Sequence, residues 1–492
     1  MKRIEECVGE SIQKFGDKVL FVDQVTGEEV SFSAFGRMLA QVAALLGREG
    51  VREGDVVTLI SENSVDLAVL LYGIILHGAI AKPLNPKLTP TEILNLLEHS
   101  GSRLILSDRD VPLDGFTGRL INTSSYRDYM PGDTDRVLAK NINDAAGALL
   151  VYTSGTTGQP KGILLNRRNI TTNVLTAIEW FSLDSRHSKL CILPLFHTFG
   201  FISDLSTMIF CGGKVAILPT FDLSRLKLIE AALLEQKVNS FSAVPLIFNT
   251  MNSLNLKINQ GSMRFCISGA APLSDKVATA FYESYGVRII PAYGLTETTC
   301  FCTISPVDKI IKGSIGVPAN IKIKVVSDDE TVLGPRQVGE LIVQGESVIE
   351  GGYFRSSVEC YSSVHTGWFK TGDLGYFDEE GYFFITGRKK NMAIRGGEKV
   401  YLEDIDRCLG DLDGVIDSAT VRVEDKMIEK IACFVVLDKD SGLVADDIMR
   451  FIKDRVGKSK CPDAIVFHDS IPRTATNKIK IGELQHRAKE YV

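Results

Sequence analysis

The sequence predicts an α/β protein: a large N-terminal domain of layered α/β sheets, a β-barrel-like subdomain closing it, and a small α+β C-terminal domain. Three observations lead there. Short apolar runs alternate with helical patterns over the first two-thirds of the chain, the rhythm of a parallel sheet with crossover helices. From about residue 313 the texture changes to short alternating runs with glycine turns, which reads as antiparallel β structure. A charged junction, Gly387-Arg388-Lys389-Lys390-Asn391, then precedes about a hundred residues of mixed strand and helix pattern, the size of a small domain. The expected division is 1–387 and 388–492.

In chain order, Phe35, Met38, Leu39, Val42, Leu45 and Leu46 share one helical face, with Ser33 as a cap. Strands are expected at Val56–Ile60, Ala79–Ala81 and Leu104–Leu106, with helices at Val65–Leu76 and Glu92–Glu98 between them. The rhythm continues through strands Ala148–Val151, Cys191–Leu193, Val215–Leu218, Phe241–Val244 and Phe265–Ser268. Ile321–Val326 and Glu340–Val343 carry the later β texture, and Ile431–Val436 and Ala445–Val456 are the strand and helix of the last segment. There is no internal repeat and no low-complexity tract.

With 492 residues, 45% hydrophobic and 24% charged, the chain exceeds what one core holds. A net charge of -6 gives no global basic footprint, which excludes nucleic acid as the main partner but leaves room for a local anion site. The longest apolar run, Leu67–Leu76, falls far short of the roughly 20 residues of a membrane span. Acidic residues appear at once after Met1-Lys2-Arg3, so no secretory signal is expected. The ten cysteines lack repeated short spacings; even Cys300-Phe301-Cys302 has no partner cluster. Reduced thiols in a cytoplasmic protein, without structural zinc, are the expectation.

The most informative stretch is Tyr152-Thr153-Ser154-Gly155-Thr156-Thr157-Gly158-Gln159-Pro160-Lys161-Gly162, with three glycines, four Ser/Thr hydroxyls and a lysine behind an apolar strand. Glycines let backbone N–H groups turn to an anion, hydroxyls donate further, and Lys161 adds a point charge, which together suit a polyphosphate. A P-loop is excluded, because it ends in Gly-Lys-Ser/Thr and here Pro160 precedes and Gly162 follows the lysine. In most sequences a bare Gly/Ser/Thr stretch is a solvated turn; its length behind a strand argues otherwise here.

This stretch closely resembles the signature of the adenylate-forming superfamily, which holds acyl- and aryl-CoA synthetases, firefly luciferases and nonribosomal adenylation domains. Further segments match in order: Leu76–Pro86, Leu193-Pro194-Leu195-Phe196-His197-Thr198-Phe199-Gly200, Ser268-Gly269-Ala270-Ala271-Pro272-Leu273 and Ala292-Tyr293-Gly294-Leu295-Thr296-Glu297-Thr298. The resemblance implies two steps: a carboxylic acid and ATP give acyl-AMP, then the thiol of coenzyme A takes the acyl group. It makes Thr153, Ser154, Gly155, Thr156, Thr157, Gly158 and Lys161 the phosphate loop, with Gly269, Ala270, Ala271, Tyr293 and Gly294 on the adenine side. Thr296 would hold the α-phosphate and Glu297 Mg²⁺, although Thr-Glu-Thr in isolation is a solvated turn. Asp373 in Thr371-Gly372-Asp373 is similar to the ribose-binding aspartate, Arg388 to an arginine near ribose and phosphate, and Lys390 to the hinge residue about which a mobile C-terminal domain rotates. Pro472–Lys480 resembles the C-terminal lysine motif, making Lys478 the residue that reaches carboxylate and α-phosphate, although a lysine so near a terminus is otherwise surface.

By the same resemblance His197, Phe199, Val244, Ala292, Cys300 and Cys302 line the acid pocket, with His197 a wall or gate; a single histidine in an apolar segment is otherwise a packed residue. The chain departs from the family pattern at Asn477, where a glycine is usual, and at Lys399, Leu402, Asp404 and Asp406, where Asn, Pro and two Glu are usual. The second set bears on the thioester step. A ligase loading the phosphopantetheine of an acyl or peptidyl carrier protein and a non-catalytic nucleotide-binding module are the alternatives.

Overall fold

The computed structural model describes residues 2–153, 161–395, 398–425, 428–457, 460–473 and 479–492. Helix Val65–His77 is the most apolar of the chain, and every residue from Leu67 to Leu76 is buried, so it has no solvent face. Such a helix needs apolar neighbours all round. It finds them in a core shared by two sheets, where Tyr72 meets the ring of Phe201 at 5.8 Å and that of Phe35 at 6.2 Å. Ser64 caps it by accepting from the Leu67 N–H at 3.1 Å, and Gly78 ends it at φ +96°.

The six-stranded sheet runs Arg119–Asn122, Leu104–Ser107, Val56–Ile60, Ile80–Leu84, Gly147–Thr153, Lys161–Asn166. All neighbours are parallel except the last two strands, which form an antiparallel pair. The nine-stranded sheet has a parallel centre of Arg288–Tyr293, Phe265–Ser268, Ser240–Ala243, Ser188–Cys191, Lys214–Ile217 and Val19–Asp23, with short antiparallel strands at both edges. The alternation predicts this architecture.

Two local expectations shift. Helix Phe32–Arg48 is capped by Ser31, which accepts from Ala34 N–H at 3.2 Å, so Ser33 lies inside the first turn. The strand expected at Cys191–Leu193 ends at Cys191 because a side chain takes over the pairing beyond it. Asn63 donates to Leu193 O at 2.8 Å and accepts from Leu195 N–H at 2.9 Å, fastening this segment to the loop after Val56–Ile60 of the other sheet.

The β-rich part is a four-stranded antiparallel meander, Lys322–Val326, Gly339–Gln344, Phe369–Phe377 and Phe383–Arg388. Beyond it come hairpin Met392–Arg395/Glu398–Tyr401, helix Leu402–Gly410, a sheet of Val415–Asp425, Ile428–Leu437 and Ala464–Phe467, and helices Ala445–Val456 and Ile481–Ala488. Strand alternation explains the two cores here: Ile431, Cys433 and Val435 bury against one helix pair, while Ala432, Phe434 and Val436 bury on the opposite face. Among the described residues no helix is long and apolar enough to cross a membrane.

Candidate active site

Strands Gly147–Thr153 and Lys161–Asn166, which flank the candidate phosphate stretch in sequence, form an antiparallel pair. Thr153 registers with Lys161 and Tyr152 with Gly162, so both feet are held by one ladder. Gly162 sits in close quarters: a Cβ there would meet Phe354 Cβ at 3.2 Å and the Tyr152 ring at 3.3 Å, so these neighbours would have to give by a few tenths of an ångström. Ser154, Gly155, Thr156, Thr157 and Gly158, together with Lys478, lie outside the described residues.

Lys161 places its ammonium 4.4 Å from the ring centre of Tyr353, a cation–π contact. The hydroxyl of Tyr353 donates to Glu297 Oε1 at 3.0 Å, so one tyrosine connects the loop's lysine to the carboxylate expected to meet the metal. Burial pushes the Tyr353 phenol well up, and the Glu297 charge adds to that, so it stays a donor. Glu297 sits in a one-turn 3₁₀ segment, Thr296–Thr298. That turn is closed by Leu295 N–H donating to Thr298 Oγ1 at 3.0 Å and by Ile349 N–H donating to Glu297 O at 2.9 Å. Thr299 follows at φ +70°, costly for a β-branched residue, with its hydroxyl bound to Ser347 O at 2.7 Å. Gly294 cannot carry a side chain, since a Cβ would lie 1.6 Å from Cys300 O.

Asp373, 3% exposed, is held from both sides. Tyr293 OH donates to its Oδ2 at 2.6 Å, and Arg388 Nε pairs with Oδ1 at 2.9 Å. Burial and the Asp373 charge hold the Tyr293 phenol well above its ordinary value, and Asp373 raises Arg388. Register explains the meeting: Asp373 and Arg388 are cross-strand partners in the meander, while Tyr293 ends a strand of the nine-stranded sheet. Ala270 and Ala271 are exposed after the strand ending at Ser268, with Ala270 at φ +66°, and Gly269 is buried.

The acid-pocket candidates divide. A Cβ on Gly269 would meet the Phe199 ring at 3.1 Å and Ala292 O at 3.3 Å, which puts these three together. His197 accepts from Phe199 N–H through Nδ1 at 3.2 Å, the role of a packed histidine that shapes the segment. Val244 and Cys300 are buried at the ends of their segments, whereas Cys302 is fully buried with its N–H bound to Tyr293 O, a core position. Lys390 is exposed beside Arg388 at the end of the meander.

The residues present fit ATP and Mg²⁺. Each Asp373 oxygen has one side-chain partner and a lone pair left for a ribose hydroxyl. Glu297 offers one carboxylate to Mg²⁺, an ion that keeps waters and phosphate oxygens and takes one or two carboxylates. Tyr353 joins the candidate site through Lys161 and Glu297, contacts that no sequence pattern announces; Gly351-Gly352 just before it marks only a turn.

A model of AMP-binding enzymes matches residues 8–354, and a model of the AMP-binding enzyme C-terminal domain matches residues 404–478. A sulfoacetate–CoA ligase of Cupriavidus necator is 30% identical over 494 residues, covering 96% of this chain and 95% of its own length. A 2-succinylbenzoate–CoA ligase of Bacillus cereus is 27% identical, covering 95% of each. Among solved structures, o-succinylbenzoate CoA synthetase from Bacillus subtilis in complex with its acyl-adenylate intermediate superposes with a TM-score of 0.86 at 26% identity, covering 97% of each chain.

Proposed function

The chain belongs to the AMP-binding enzyme family, and on that premise we propose how its residues divide the work of an acid–thiol ligase. It is an AMP-forming ligase that uses ATP, Mg²⁺ and coenzyme A. A carboxylate oxygen of the acid attacks the α-phosphorus, the bond to the β-phosphate breaks, and pyrophosphate leaves; the thiol sulfur then attacks the acyl carbon and AMP leaves.

The observation that carries the assignment is the buried Asp373 carboxylate between Tyr293 and Arg388, each the last residue of its strand, an acceptor set for ribose hydroxyls. Glu297, oriented by Tyr353, would hold Mg²⁺, which supplies charge neutralisation when bound. Lys161 and the loop Thr153–Lys161 orient the phosphates, Thr296 meets the α-phosphate, and Lys478 reaches carboxylate and α-phosphate together. Gly269, Ala270, Ala271 and Gly294 leave room for the base. The units are 1–387 and 388–492, the second turning about Lys390 between the two steps.

Phe199, Val244, Ala292 and the Cys300 thiol favour an uncharged acyl or aryl tail. Similarity does not choose the acid, since named relatives act on sulfoacetate, 2-succinylbenzoate and long-chain fatty acids. The ten free cysteines, eight of them buried, agree with a cytoplasmic setting.

The test is pyrophosphate release over an acid panel, with coenzyme A and a phosphopantetheinylated carrier protein offered in parallel. Acid-dependent release with transfer to coenzyme A is expected, and transfer to the carrier alone would move the acceptor. Bound ATP with no release on any acid would make this a binding module. Lys478→Ala should abolish acyl-AMP formation and leave ATP binding; unchanged release would remove its role.

A further inference from the structure

Glu403 belongs to the helix Leu402–Gly410, beyond the hinge, yet its carboxylate lies against the strand before it. Oε1 accepts from the Arg388 backbone N–H at 3.3 Å and from Asn391 Nδ2 at 2.9 Å. Oε2 is buried with no hydrogen-bond partner among the described residues, and a Cβ on Gly387 would come within 2.4 Å of it. Glycine at 387 is what lets the carboxylate approach. A second bond crosses alongside, Arg407 Nη2 donating to Ile385 O at 2.8 Å.

The chain order gives these bonds different fates. Gly387 and Arg388 precede Lys390; Asn391 and Glu403 follow it. A backbone turn at Lys390 carries Asn391 and Glu403 together and keeps their bond, but separates Glu403 from Arg388 N–H and Arg407 from Ile385 O. Interactions made in only one of two orientations bias the equilibrium between them. Arg388 also pairs through its side chain with Asp373, so its two ends engage the ribose-binding carboxylate and the next unit's first helix.

We propose that Glu403 is a positioning residue for the two-step reaction: its carboxylate ties the fixed side of the hinge to the C-terminal unit and holds the orientation described, and it must release before the unit turns. This rests on the ligase reading and on rotation about Lys390.

Trypsin tests it without depending on activity, because Arg388, Lys389 and Lys390 are exposed cleavage sites at the hinge whose cutting reports local opening. Glu403→Ala should speed hinge cleavage roughly tenfold, the scale of losing a hydrogen bond to a charged group. Glu403→Gln keeps an acceptor oxygen and should restore cleavage to within about twofold of the unaltered chain. Gly387→Ala should speed cleavage by displacing the carboxylate, and should add nothing in a Glu403→Ala background. Single-turnover assays of pyrophosphate release and thioester formation should show a changed ratio of the two rates in Glu403→Ala, where a purely structural role would lower both alike. Unchanged cleavage in Glu403→Ala, additive effects of the two substitutions, or faster cleavage with an unchanged ratio would overturn the proposal. Absence of pyrophosphate release from the unaltered chain would instead overturn the ligase reading.

Discussion

Glu297 and Glu403 are two carboxylates whose charges both act on Arg388, and the protein treats them in opposite ways. Glu297 stands on a turn closed by the Thr298 hydroxyl and by the Ile349 N–H, and its carboxylate receives one hydroxyl, from Tyr353, which leaves acceptor room for a ligand. Glu403 is pressed against Gly387, receives two N–H donors, and burial pushes its carboxyl up. One site preserves charge and the other preserves shape. Removing charge while keeping shape should therefore separate them.

The largest effect expected is at Glu297: Glu297→Gln should slow pyrophosphate release roughly a hundredfold in single turnovers, with folding unchanged, on the scale of losing several kcal/mol of charge stabilisation. A loss below about threefold would break the comparison with the tolerated Glu403→Gln. Next, Asp373→Asn should weaken ATP binding about tenfold, measured by calorimetry, because a charge-assisted pair with Arg388 is lost while Tyr293 keeps an acceptor. Tyr353→Phe keeps the ring over which Lys161 sits and removes only the hydroxyl. About a fivefold rise in the apparent KM for Mg-ATP is expected, the worth of one hydrogen bond.

An effect on stability and not on the reaction lies behind Glu403. Asp406, one helical turn on, accepts from Thr420 Oγ1 at 2.7 Å, but burial outweighs that bond and raises its carboxyl to about 7. An unfolded aspartate titrates near 4, so between about pH 4 and pH 7 the folded state binds more protons than the unfolded one. This contribution to stability is full below about pH 4 and is lost as pH rises through 7. Asp406→Asn should flatten that slope in thermal melts across the range; an unchanged slope would assign it to other groups.

The sheets and the site segments were legible in the sequence because both are local. Apolar runs such as Ala148–Val151 and Phe265–Ser268 declare strands by period, and the composition of Tyr152–Gly162 marks it as the candidate phosphate loop. What sequence did not yield are pairings between distant side chains. Tyr353 reaches Glu297 across 56 positions and Asn63 reaches Leu193 across 130, and no periodicity encodes either. Glu403 carries no signal in the sequence, since its donors, the Arg388 backbone N–H and Asn391 Nδ2, lie 15 and 12 positions earlier. The antiparallel pairing of Gly147–Thr153 with Lys161–Asn166 was likewise hidden, because a strand looks the same in sequence whichever way the chain returns.

The two bonds of Asn63 carry a consequence for anyone who would redesign the acid preference. They make Leu193–Leu195 a splice between the two sheets, just upstream of His197 and Phe199, so the segment proposed to border the acid is tied to the six-stranded layer. The Leu195 amide should then exchange with deuterium as slowly as the strands it joins. Substitutions at Phe199, Val244 and Ala292 can be explored on that splice as on a fixed bench, while a change at Asn63 would loosen the bench itself.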